Sequence, residues 1–105
     1  MKIDQDSLSS IPGLRDSRQQ TLGDPEICIA IIDSRVDLSH PCFAGAQLRE
    51  IVPMWLRSIM GPNGAAHGTH IASVIFGQPG GPVEGIAPHC QGIIIPVDGE
   101  TEEVN

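Results

Sequence analysis

The apolar residues of this chain fall into a few short runs whose spacing separates strands from helix. Glu26-Ile27-Cys28-Ile29-Ala30-Ile31-Ile32-Asp33 is apolar at successive positions, rich in β-branched residues, and bounded by Asp24-Pro25 and a turn. A short run that is apolar on both faces predicts a parallel strand buried on both sides, with Cys28 a small core residue. Gly92-Ile93-Ile94-Ile95-Pro96-Val97 has the same character and predicts a second such strand, while Gln47 to Val52 alternates and reads as a further or edge strand. Between them, Ile71, Val74 and Ile75 recur at helical spacing. A helix is therefore expected over His67 to Phe76, closed by Gly77 in the left-handed cap conformation. Strand, loop, helix, strand is the crossover unit of an α/β fold built on a parallel sheet.

The polar stretches between these runs set the rest of the outline. Residues 1–26 carry Pro12 and Pro25 and one plausible short helix around Gly13 to Leu22, on which Leu14, Arg15, Arg18 and Leu22 line up. This segment reads as a lead-in packed on the outside of the domain. Pro53 to Ala66, with the single Trp55 and a Gly61-Pro62-Asn63-Gly64 turn, is expected to be a surface loop reaching the histidine helix. Trp55 would pack that loop or touch substrate. No internal repeat is present.

Composition narrows the class. A chain of 105 residues is at most one small domain, and its 40% hydrophobic and 18% charged content is that of a globular protein. The formal net charge is −7, with only six Lys and Arg against an acidic end at Asp98-Gly99-Glu100-Thr101-Glu102-Glu103. Nucleic acid is an improbable partner for such a chain, because binding it requires clustered cations. No apolar stretch approaches the roughly 18 residues of a membrane span, and Met1 to Asp6 lacks a signal-peptide pattern, so no membrane partner and a cytoplasmic location are expected. Cys28, Cys42 and Cys90 are odd in number and widely spaced, which agrees with a reducing compartment.

Two side chains stand where chemistry is done. Asp33 ends a predicted parallel strand, and in open α/β sheets ligands bind beyond the carboxyl ends of the strands. The bland alternative is an aspartate that stops the strand by bonding the next turn. His67 begins the predicted helix, with Gly68 permitting close backbone approach, so its ring can be held rigidly as a general base. A His-x-x-His pair, His67 and His70, also fits a metal site with His40 or Cys42. It lacks the glutamate and the i, i+4 spacing of zinc proteases, and no metal or other cofactor is assigned.

Four segments in one order resemble the amino-terminal part of the subtilisin-like serine proteases, peptidase family S8. They are Ile31-Ile32-Asp33-Ser34, Leu38-Ser39-His40-Pro41, His67-Gly68-Thr69-His70-Ile71-Ala72-Ser73 and Gly85-Ile86-Ala87-Pro88, and the likeness covers residues 24–97. Thr21 to Pro25, Val36 to Ala46 and Ser73 to Gly80 are similar to the proteases that cut the leader from cyanobactin precursor peptides. The resemblance implies a partial three-layer α/β fold and a peptide or protein substrate. It also implies catalytic roles for Asp33, orienting the imidazole, and His67, the general base. His70 would then be structural. Arg35 stands where the family has glycine, and Cys42 where many members carry a calcium-binding acid, so no calcium site is carried over. Three parts are expected: a lead-in at 1–23, a partial peptidase domain at 24–97 and an acidic tail at 98–105. No serine lies in a nucleophile motif, so the chain is expected to be a truncated gene product or excised fragment, inactive alone. The alternative is an inactive module that binds a complementary carboxy-terminal segment or a precursor peptide.

Overall fold

The computed structural model describes residues 10–54 and 66–97. In chain order they form helix α1 (Leu14–Gln20), strand β1 (Cys28–Asp33), a short 3-10 turn (Pro41–Phe43), strand β2 (Gln47–Glu50), helix α2 (Ala66–Phe76) and strand β3 (Gln91–Pro96). The β-branched run, the alternating run and the carboxy-terminal apolar run are thus all strands. Most of the loop expected over Pro53 to Ala66, with Trp55, and the acidic tail lie outside the described residues.

The three strands form one parallel sheet in the order β1-β3-β2. The chain therefore leaves β1, forms β2 on the far side, and returns through α2 to lay β3 between them. Register sets Cys28 and Gln47 on either side of Gln91, and brings Asp33 opposite Pro96 at the carboxyl edge. Parallel pairing needs this crossover, and α2 supplies it.

The core lies between the sheet and α2. Ile31, Ile94, Ala72 and Phe76 are buried together with Val36, Cys42, Phe43 and Cys90. Gly92 explains how the helix sits so low. A Cβ there would come within 2.6 Å of the Phe76 ring, so the absence of a side chain on β3 makes the seat for that phenylalanine. Leu48, its register partner on β2, closes the other side of the seat.

Two expectations are corrected. β1 is covered on one face only among the described residues: Ile31 is buried, whereas Cys28 and Ala30 are exposed and Ile32 is 66% exposed. The sequence reads as buried on both sides because both faces are apolar, but α2 covers only the side of Ile29 and Ile31. Cys28 is for this reason not a core residue. Nor does Gly77 end α2 through a left-handed cap, since it is not among the positive-φ glycines. Its missing Cβ instead lets the chain fold back on the helix, where a methyl group would strike Val83 and come 2.8 Å from the Ser73 carbonyl. Gly85, Ile86 and Ala87 then donate to the carbonyls of Gly77, Val74 and Ile75. The Gly85-Ile86-Ala87-Pro88 segment thus satisfies the carbonyls left open at the helix end.

Candidate active site

At the carboxyl edge of the sheet, the end of β1 meets the start of α2. His67 Nδ1 lies 3.0 Å from both Oδ1 and Oδ2 of Asp33. A carboxylate can only accept, so the ring donates from Nδ1, and this fixes Nε2 as the basic nitrogen of the neutral imidazole. The His67 side chain is 65% exposed while that of Asp33 is 24% exposed. The acid is thus recessed behind a ring that faces solvent.

The approach of the two elements is built by neighbouring residues. Gly68 is buried against the chain that leaves β1, and a Cβ there would meet the Arg35 carbonyl and lie 2.7 Å from that of Ser34. Its amide, one of the donors that a helix start leaves unpaired, donates to Ser34 Oγ at 2.8 Å. Ser34 Oγ in turn donates to the Arg35 carbonyl, and the Ser34 amide donates to Asp33 Oδ1. One residue further along, the Asp37 amide donates to Thr69 Oγ1 at 2.7 Å. Three ties therefore run in parallel between the β1 exit and the first turn of α2: Asp33 to His67, Ser34 to Gly68, and Asp37 to Thr69. The sequence flagged the first pair. Ser34 and Thr69 carried no signal beyond their position inside the two motifs.

The other candidates are placed elsewhere. His40 caps the 3-10 turn, its Nδ1 accepting from the Cys42 amide at 3.1 Å, and meets Phe43 edge to face. Cys42 is fully buried, and burial pushes its thiol above the usual range. His70 has a buried Nε2 with no hydrogen-bond partner and does not join Asp33. Among the described residues no group of three or more His, Cys, Asp or Glu could hold a metal ion.

Arg35 turns away from the dyad to Glu50 at the end of β2, with Nη2 3.4 Å from Oε1. Arg35 Nε and Glu50 Oε2 are each buried without a hydrogen-bond partner. Asp37 closes a local turn instead. Ser39 donates to it from hydroxyl and amide, and these two bonds lower its pKa below the ordinary 3.8.

An aspartate held behind an exposed histidine at the carboxyl edge of a parallel sheet is equipped to move a proton. Residues 24–104 match the family profile of the subtilases, Peptidase S8. The chain belongs to the subtilase family. Among solved structures, this subtilase is similar to the prenylagaramide maturation protease PagA, at 46% identity and a TM-score of 0.73 over 88% of the chain. It is similar to the patellamide maturation protease PatA at 49% identity and a TM-score of 0.60 over 74% of the chain. The PatG macrocyclase in complex with peptide matches at 29% identity and a TM-score of 0.76 over 97% of the chain. The chain spans 30% of the PagA chain, 27% of that of PatA and 43% of that of PatG. Comparison with curated protein sequences gives no match.

Proposed function

We propose that this subtilase supplies the acid and base of a serine endopeptidase acting on a ribosomally made precursor peptide of the cyanobactin type. Asp33 orients His67 and stabilises its cationic form. His67 takes the proton of a serine hydroxyl as it attacks the scissile carbonyl, then returns it to the leaving amine. The observation that carries this reading is the contact of His67 Nδ1 with both Asp33 oxygens. The maturation proteases among the similar structures, and the peptide bound to PatG, support a peptide substrate. The free thiols of Cys28, Cys42 and Cys90 support a reducing, cytosolic setting.

In this reading the nucleophile is none of the serines in the motifs around the dyad. Ser34, Ser39 and Ser73 each donate their hydroxyl to a neighbouring acceptor, the Arg35 carbonyl, the Asp37 carboxylate and the His70 carbonyl respectively. On this reading the 105-residue chain alone is expected to show no peptidase activity. The test is hydrolysis of a fluorogenic peptide by the isolated chain, and by the chain mixed with the remaining, serine-bearing portion of a PagA-type protease. The expected result is turnover only in the mixture, reduced by about 10⁴-fold in Asp33→Ala and by about 10⁶-fold in His67→Ala. Turnover by the isolated chain that Asp33→Ala abolishes would overturn the claim of inactivity, and a mixture indifferent to either substitution would overturn the assigned roles.

The open face of β1 favours a second reading, in which the chain serves only to bind a complementary segment. Capture of the serine-bearing portion without any turnover would select it.

A further inference from the structure

The carboxy-terminal end of α2 borders a second concave site. A cleft of about 390 Å³ lies between α1 and the turn at residues 79–84, with Leu14, Leu22 and Pro79 as its apolar wall and Arg15, Arg18 and Gln19 as its polar one. That volume is within the range of small-ligand and peptide-side-chain pockets. At 1.5 Å per residue, α2 sets the turn roughly 15 Å from His67, so the cleft is not part of the Asp33–His67 crevice. Helix α1 also precedes the residues that match the subtilase profile, whereas the turn lies within them.

The charge arrangement here is unlike that of the rest of the chain. Arg18 Nη2 pairs with Glu84 Oε1 at 3.1 Å, but Glu84 Oε2 is turned to the Gly80 amide at 3.0 Å. Arg18 Nε is buried without a hydrogen-bond partner. Arg15, three residues earlier and therefore on the same helix face, is exposed at the rim. Two of the six cations of a chain with net charge −7 meet here over one carboxylate.

We infer that this cleft recognises an acidic peptide segment. A carboxylate of the segment sits on the exposed Arg15 at the rim, and the aliphatic side chain beside it packs between Leu14, Leu22 and Pro79. A guanidinium matches a carboxylate in geometry and charge, and the leucine wall matches an aliphatic neighbour. Two cations are too few for a nucleic-acid backbone. The residues of this cleft and those of the dyad do not overlap.

The test titrates the full chain into a fluorescein-labelled peptide of alternating leucine and glutamate, and into its leucine–glutamine counterpart, read by fluorescence anisotropy. Saturable binding of the glutamate peptide is expected, at least tenfold weaker for the glutamine peptide and for Arg15→Glu, and weaker as salt rises from about 50 to 200 mM. Circular dichroism checks that Arg15→Glu remains folded, and Arg15→Gln gives the same comparison with a smaller charge change. An Asp33→Asn chain should bind as wild type does, which separates this site from the peptidase reading. Absence of saturation, equal affinity for the two peptides, unchanged binding in both Arg15 variants, or equal binding of a single-stranded oligonucleotide would each overturn the inference.

Discussion

At the residue scale, the contact between Asp33 and His67 depends on the groups around it. Ser34 Oγ is the acceptor for the buried amide of Gly68, so Ser34→Ala leaves that donor unpaired at a cost of about 1–3 kcal/mol. For a domain of this size that corresponds to a melting point lower by about 4–8 °C per kcal/mol, measurable by thermal circular dichroism. Gly68→Ala should be worse, because its methyl group meets two backbone carbonyls that cannot swing aside. A melting curve equal to wild type for Gly68→Ala would show that α2 does not press on the β1 exit as described. Asp37 gives a pH signature. Its carboxyl is lowered by the Ser39 bonds, so their contribution to stability is fully present above the ordinary value of 3.8 and is lost as pH falls through the lowered one. Carbon-detected NMR titration should place the Asp37 midpoint below 3.8, and Ser39→Ala should move it back up. Asp33 and His67 were legible in the sequence because strand end and helix start are read from periodicity, and the motifs carry the residues themselves. Ser34 and Thr69 were not, since a hydroxyl reveals its partner only when two elements are docked.

At the element scale, β1 separates what periodicity can tell from what it cannot. The apolar run locates the strand within two residues and predicts its parallel pairing with the run at Gly92 to Val97. It leaves undecided which face is covered, because Ile31 and Ile32 are chemically alike and only packing against α2 distinguishes them. Ile31→Ala should therefore cost about 2–5 kcal/mol, the range for emptying a core site. Ile32→Thr, on the open face, should stay within about 0.5 kcal/mol. Chemical denaturation of the two variants checks the contrast, and comparable losses would mean that both faces are packed. α2 shows the same limit at its end. Gly77 was legible as a stop, but the cause, close return of the chain over Ser73 and Val83, depends on where the following turn lies.

At the scale of the whole molecule, among the described residues one face of the sheet is covered, and on the other β1 leaves an apolar strip exposed. Cys28, Ala30 and Ile32 of β1 are exposed on that face, and Val97 just after β3 is more than half exposed. Such a face in water costs free energy in proportion to its apolar area, and it is relieved by whatever can cover it. Net charge of −7 opposes contact between copies, but charge repulsion is screened within about 10 Å at 0.1 M salt, whereas apolar burial is not. Association of the chain should therefore increase with salt, the reverse of what a charge-paired interface would do. Light scattering coupled to size-exclusion chromatography at about 0.05 and 0.5 M salt measures it, with Ile32→Lys as the variant that places a charge within the exposed strip. The expected outcome is a salt-promoted rise in mass for the wild-type chain that Ile32→Lys suppresses. Thiol labelling gives the local counterpart: Cys28 should react with an alkylating reagent in the dilute chain and be protected as the mass rises, while the buried Cys42 and Cys90 remain unlabelled throughout. A mass independent of salt with Cys28 freely labelled at every concentration would show that the open face of β1 does not drive association.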